Sequence, residues 1–511
     1  MATPETVVMT SEPQQPKRSL RRNLTVWQAI GLSIALMAPS MAANINPQGM
    51  VGTVGRAVPL AFLLAAVGVL LVSYGIVRLC QYYQHSGSVY AFVGATLGPR
   101  TGAVSGLALF ATYVFYGVVT SCASGWIGMA FLDQVGIVHK PQPWVGFVIA
   151  ACSLLLALLL TIVPAKGGTT TLLIIEGLTV ALIVAVSAIV LVRLLSHNVP
   201  NGGHQHFTLD VFKVSSGTPT SDLFLGIVFG FLSFAGFEAA STLGEETANP
   251  HRDIPRAILG TAIFGGIYFT VVTAIEMMGF GTGPNGIKNF GGSGALVGDL
   301  GRSFVGDWVG DLISLGATIS AFACCLACMV GAARLLFAMN RDLQGERGLS
   351  VVTRQGTPAR SALLVAVLMG AILALMHFAF GADTFAAFLW SGTIGTLILL
   401  VAYVLTTIGA MRLLFFQRKM RVPMWQIVIP LAALVVLGYT IYRNVWPYPP
   451  MHLDGAENPP FWYPIVAGGW ILLCIVLVVV FSGAARQLGR SLAAEEGFMT
   501  DQSDRMVQSR A

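Results

Sequence analysis

Glu238 and Glu176 are single carboxylates set in apolar stretches of membrane length. Holding a charge in hydrocarbon is expensive, so an acid placed there marks a site that binds an amine or carries a proton. For Glu176 a hydrogen-bonded structural glutamate is an equal alternative, and for Glu238 a brace for helix packing. Glu238 follows Phe234-Ala235-Gly236-Phe237, and the acidic pair Glu245-Glu246 closes the same segment. Small residues at Ala235 and Gly236 let backbones approach closely and let the helix come apart. An unpartnered backbone group in hydrocarbon costs several kcal/mol, so such a break is tolerated only where it faces a ligand or a polar cavity. An opened half-helix N-terminus offers N–H groups and a partial positive end to a carboxylate, and the opposing C-terminus favours an ammonium. A zwitterionic amino acid matches both ends. Phe234 and Phe237 either shutter such a pocket or pack as ordinary apolar side chains.

Pro39 supplies a second break. It lacks an N–H and its ring clashes with the carbonyl one turn earlier, so the first apolar segment is expected to open between Met37 and Met41. Ala38, Pro39, Ser40 and Met41 then join Phe234 to Glu238 as candidate substrate-binding residues. For Pro39 taken alone a simple kink is the alternative. Breaks at corresponding places in two segments are the sequence sign of a transporter's binding site. Lys166 follows Pro164 among glycines and threonines. On charge counting it reads as a membrane-edge anchor; packed inward it supplies a fixed or protonatable cation.

Other motifs carry less. Cys324, Cys325 and Cys328 form Cys-Cys-x-x-Cys, with no second pair or histidine to complete a metal set, and helix packing is the better reading. His204 and His206 provide two ligands on one loop, too few to hold a metal alone. The chain has no Gly-x-x-x-x-Gly-Lys-Ser/Thr phosphate loop, no Gly-x-Ser-x-Gly and no His-Glu-x-x-His. ATP-driven pumping and hydrolysis lack support, and no catalytic residue, metal or cofactor is expected.

The elements that must position these residues are membrane helices. Of 511 residues 55% are hydrophobic and only 10% charged, against about 25% charged in a soluble domain. Apolar windows of roughly 20 residues, enough to cross the hydrocarbon, fall near 24–47, 58–79, 102–131, 144–163, 170–195, 223–243, 256–280, 309–339, 361–380, 384–411, 425–442 and 461–481. The reading is an all-α polytopic membrane protein of twelve transmembrane helices. With the N-terminus inside, 22 of the 29 Lys and Arg lie on cytoplasmic connectors and tails and 7 outside, which by the positive-inside rule puts both termini in the cytoplasm. The net charge of +6 is therefore a matter of topology, not a nucleic-acid surface. No cleaved signal peptide and no disulfide framework are expected. Breaks five spans apart divide the chain into a cytoplasmic tail (1–23), a first repeat (24–196), an inverted second repeat (222–411), two appended spans (422–484) and a C-terminal tail (485–511), frayed or disordered. The outer connectors near 198–221 and 281–306, rich in Gly, Asn, Ser and Thr, are expected to be irregular loops.

The stretch Phe231 to Ile258, FLSFAGFEAASTLGEETANPHRDIPRAI, resembles the span-six signature of the amino acid–polyamine–organocation permeases. Ser86 to Pro99, SGSVYAFVGATLGP, is similar to that family's inner loop before span three, and RLLFAMNRD from Arg334 to its segment ending span eight. The resemblance covers roughly residues 24 to 411. It implies a LeuT-type five-plus-five inverted-repeat fold and transport of amino acids or related amines. Ala38-Pro39-Ser40 and Phe234-Ala235-Gly236 correspond to the family's unwound, substrate-gripping segments. Lys166 aligns with a lysine that stands in for sodium in many members, which favours proton coupling over sodium. The chain departs from the family where Ala38-Pro39-Ser40 replaces a Gly-Ser/Ala-Gly run, leaving less room for amides to close on a carboxylate.

The resulting expectation is a plasma-membrane permease, not an enzyme, with an amino acid as substrate, a proton as the coupling ion, and Lys166 and Glu176 as coupling residues. Its partner is the lipid bilayer, with no nucleic acid. Exchange of one amino acid for another, polyamine or amine transport, and a non-transporting nutrient receptor are the alternatives.

Overall fold

A computed structural model describes residues 26–83, 88–163, 168–200, 203–215, 218–243, 247, 249–344, 348–351, 357–448 and 459–484. Lys166, the pair Glu245-Glu246 and both tails lie outside the described residues. Among those described, eleven helices are long and apolar enough to cross a membrane, and a shorter apolar segment, Ala29–Ile45, supplies the interrupted first span. The expected twelve-span, all-α architecture is present.

Span one runs Val26–Met37 and resumes as Pro39–Ile45, followed by a short helix Gln48–Val54. Span two is Val58–Tyr82, three Pro99–Gln134, four Pro143–Ile162 and five Gly168–Leu195. Span six is Leu223–Phe234 and, after an open turn, the 3-10 segment Ala239–Leu243. Spans seven and eight are Pro250–Phe280 and Asp307–Gln344. Spans nine and ten, Ala359–Ala374 and Thr384–Met411, each run on into a π turn. Spans eleven and twelve are Val428–Val445 and Pro459–Val480.

Burial separates working helices from supporting ones. Spans three, six and ten bury most of their residues inside the protein, whereas eleven and twelve leave most of theirs facing outward. In hydrocarbon, helix association relies on close packing of small residues, since lipid tails are as apolar as leucine. Span three shows this: Gly117 and Gly125 leave room for Met369 of span nine and for the Gly146 carbonyl of span four. Arg443 of span eleven pairs with Asp222 at the start of span six at 2.9 Å, tying an appended helix to a broken one.

Two connectors differ from expectation. Ser88–Leu97, matched above to an inner loop, is a helix held to the end of span ten by a 2.8 Å bond from Arg412 to the Thr96 carbonyl. The connector after span seven, expected on the outer side as an irregular loop, is two helices, Pro284–Gly291 and Leu296–Phe304. Its many glycines give a weak helical signal; its order comes from distant side chains. Gln48 donates to the carbonyls of Phe290 (3.1 Å) and Ser293 (2.6 Å), and the Asn44 oxygen accepts from the amides of Val297 (3.0 Å) and Gly298 (3.1 Å). Asn44 thus satisfies two of the orphan amides that open any helix.

Candidate functional site

Both expected breaks are present, and they face one another. In span one the interruption is Ala38, at φ 46° and ψ 57° in the left-handed region. The residue before proline is disfavoured from the right-handed helical region, so Pro39 ejects Ala38 from the helix while itself serving as first residue of the next one. A left-handed L-residue costs about 1–2 kcal/mol. Ala38→Gly is therefore expected to stabilise the protein by about 1 kcal/mol, read as a raised thermal midpoint in detergent.

In span six, Leu223–Phe234 stops and Gly236 adopts φ 101°. That conformation favours glycine. A Cβ at Gly236 would lie 3.1 Å from the Cβ of Leu36 and 3.2 Å from its carbonyl carbon, so the turn lies directly against the end of the first half of span one. The half of span one before its break and the half of span six after its break are joined by a 3.0 Å bond from the Ala240 amide to the Ser33 hydroxyl. The other two halves are joined by a 2.7 Å bond from the Asn46 side chain to the Ser233 hydroxyl. Each broken helix is therefore matched half for half with the other.

The opened backbone of span one is met from three neighbours. The Ser40 amide donates to Glu176 Oε1 of span five at 2.9 Å, and the Met41 amide to the Ser320 hydroxyl of span eight at 3.3 Å. The Tyr268 phenol of span seven donates to the Pro39 carbonyl at 3.3 Å, and the Cys324 thiol of span eight reaches the Leu36 carbonyl at 3.4 Å. Ala38, Pro39, Ser40 and Met41 are all buried. A carboxylate thus stands on an opened amide, and where the sequence pointed to one from a substrate it belongs to Glu176 of the protein itself. The Cys-Cys-x-x-Cys motif packs in the same region, with Cys325 against the Gly117 carbonyl.

Glu238 is buried beside the span-six turn, close to the amide of Gly236, and faces Tyr403. Its Oε2 has no hydrogen-bond partner among the described residues. Ala235 and Gly236 are half-buried, while Phe234 and Phe237 are fully buried. Phe234 stacks edge-on against Phe269 at 5.5 Å, and Phe237 against Tyr403 at 6.0 Å. In this conformation both phenylalanines are packing residues. His204 and His206 line a cavity of about 230 Å³ with Met278 and Thr282, at the end of span seven. Among the described residues no set of three metal-ligating side chains forms.

Sequence reasoning missed Ser33, Asn46, Ser233, Tyr268, Ser320 and Tyr403 at the breaks, and Asn44 and Glu276 beyond them. Asn44 and Ser320 carry no charge and raise no alarm in an apolar segment. Glu276 should have been found, because it is an acid within span seven and the rule that singled out Glu176 and Glu238 applies to it equally.

Broken first and sixth helices joined half to half define a multi-pass transporter of the LeuT-type fold. A mutant manganese transporter from Eremococcus coleocola, solved by crystallography, superposes with a TM-score of 0.53 over 92% of this chain and 98% of its own, at 13% identity. The fold alone is shared at that distance. The family model described as amino acid permease matches residues 24–486, and the chain belongs to that family. It is a permease and not an enzyme, as the resemblance to amino acid–polyamine–organocation permeases implied. Similar chains include the branched-chain amino acid permease BcaP of Bacillus subtilis, 27% identical over 64% of this chain and 68% of its own. Another BcaP, from Lactococcus lactis, is 24% identical over 76% of this chain and 80% of its own. The low-affinity putrescine importer PlaP of Escherichia coli is 26% identical over 65% of this chain and 69% of its own.

Proposed function

We propose that this chain is a secondary permease of the plasma membrane that carries an amino acid by alternating access, with the substrate held between the opened parts of spans one and six. The observation that carries the reading is the facing pair of breaks, whose backbone polar groups converge where neither helix can satisfy its own ladder. Ala38, Pro39, Ser40 and Met41 then present the span-one side, and Phe234, Ala235, Gly236, Phe237 and Glu238 the span-six side. Residues 24–196 and 222–411 act as the two inverted repeats, 422–484 as the appended pair, and both tails lie in the cytoplasm. The branched-chain permeases among its relatives favour a small apolar amino acid.

A second reading, transport of an amine, is favoured by one feature. Glu176 and Glu238 bring two acids to the breaks, and among the described residues neither forms an ion pair with a lysine or arginine. Proteoliposome uptake of leucine, isoleucine, valine and putrescine, each with and without an acid-outside gradient, separates the two. Putrescine uptake without uptake of any amino acid would reject the first. Flux into the vesicles also excludes a non-transporting receptor.

Proton symport is the proposed mode, with Glu176 and Lys166 as the coupling groups and the exchange of one amino acid for another as its rival. Lys166→Ala is expected to keep counterflow of labelled substrate and lose accumulation driven by the pH gradient. Unchanged gradient-driven accumulation in that variant rejects the role of Lys166.

A further inference from the structure

We infer that Glu276 is a proton-binding site that gates the outer helices: Pro284–Gly291 and Leu296–Phe304 close over it only after its carboxylate has taken a proton from the outer solution. Glu276 is 1% exposed, and both of its carboxyl oxygens lack a hydrogen-bond partner among the described residues. It lies in the outer part of span seven, and the two helices form the roof of that part. Gly279, three residues on, sits against Leu300 of the second outer helix and Val190 of span five. Phe280 stacks edge-on against Phe290 of the first at 5.6 Å.

Most charged groups of the surrounding elements are engaged elsewhere, Asp210 with Lys213 at 2.9 Å, while His204 and His206 lie exposed at the cavity lined by Met278 of the same helix. Asp299 of the roof accepts from Gln134 of span three (3.0 Å) and from Ser293 (2.5 Å). Arg302 pairs with Asp307 and Asp311 at the start of span eight. Arg56, ahead of span two, donates to the Lys213 carbonyl, and Lys288 of the first outer helix is exposed. Glu176 of span five accepts from Ser40. The Tyr268 phenol, two turns down the same helix and bonded to Pro39, stands within electrostatic reach.

An ionised carboxylate buried without a counter-charge or donor is prohibitively costly, whereas the neutral acid is accommodated. With the roof raised the group meets water and either form is tolerated. The step is simple: a proton from outer water adds to one carboxylate oxygen, an O–H bond forms, and the local charge falls from minus one to zero. The closed state therefore binds the extra proton, so closure is favoured as pH falls and lost as pH rises. Within the titration window one linked proton changes the open-to-closed ratio by about tenfold per pH unit. Asp299 acts in the same sense. It lies in the roof, outside the spans, and burial holds its carboxyl above the usual range, opposed by the Ser293 bond and Arg302.

The inference rests on the proposed function only in requiring that the roof moves; it does not require the proton to cross the membrane. The test is amide hydrogen exchange of the peptide spanning Leu296 to Phe304 in the purified full-length protein in lipid nanodiscs, at pH 5 and pH 8 after correction for intrinsic rates. In the unaltered chain the amides of Val297 and Gly298, covered by Asn44, should exchange at least about tenfold faster at pH 8. Glu276→Gln should be protected at both pH values, keeping at most a residual response from Asp299, while Asp299→Asn should retain most of it. An unchanged pH response in Glu276→Gln overturns the proposal, as does its loss in Asp299→Asn alone. Counterflow of substrate through Glu276→Gln in liposomes reports separately on folding and on the transport reading, so failure of either is seen without the other.

Discussion

Gly236→Leu is expected to reduce substrate uptake to background while the protein still inserts and purifies as a monodisperse species. Two physical terms act together. A side chain at φ 101° occupies backbone space that costs of order 1–3 kcal/mol for a non-glycine residue. Its Cβ would press on the Cβ and carbonyl carbon of Leu36 at 3.1 and 3.2 Å, so the turn must move off span one, and the rest of the leucine side chain fills the space between the breaks. Because the twelve helices are otherwise untouched, the loss should appear in transport and not in insertion. Gly236→Ala supplies the graded control: it keeps the strain and the first contact but not the bulk, and should retain a measurable fraction of activity. Uptake by Gly236→Leu at the rate of the unaltered chain would remove span six from the site.

Glu176→Leu is expected to lower uptake at least about tenfold, the effect of about 1.4 kcal/mol. Glu176 holds the Ser40 amide at 2.9 Å in a buried setting. Removing that acceptor strands a buried donor at a cost of about 1–3 kcal/mol. Glu176→Gln keeps a carbonyl oxygen for the same amide and loses only the ability to exchange a proton. If Glu176 couples transport to protons, the glutamine variant should keep counterflow and lose accumulation driven by the pH gradient. If it is a structural bridge alone, glutamine should behave as the parent does. Gradient-driven uptake measured in the two variants therefore distinguishes holding span one from coupling it.

Much of the architecture was legible because membrane helices announce themselves: apolar length gives the spans, and Pro39 and Gly236 have intrinsic backbone behaviour, the proline restricted and the glycine permissive. Even so, legibility was uneven at a single turn. Pro39 signals that span one breaks, but the residue that turns left-handed is Ala38, and nothing in an alanine says so except the proline after it. The outer helices after span seven were read as loop because Gly291, Gly292 and Gly294 dilute any helical period. The second of them is started by Asn44, more than 250 positions away, and a sequence window cannot see a cap supplied from so far. Glu176 was singled out for its cost in hydrocarbon. Its partner, an opened amide on another helix, could be seen only in three dimensions. Glu276 was legible by the same reasoning and was passed over, which shows that the rule about intramembrane acids has to be applied to every span, including those with no visible break.

The half-for-half joining of spans one and six, through Ser33 with Ala240 and Asn46 with Ser233, has a mechanical consequence. Two rods, each articulated at its midpoint and riveted together on either side of the articulation, can bend only as a pair, and the proposed cargo site lies in the crook of both joints. A compound that lodges there but is too stiff or too wide to follow the bend would act as a splint. It would bind tightly, arrest the cycle in one posture and exclude the natural cargo, so long rigid analogues of the substrate should be blockers where short flexible ones are carried.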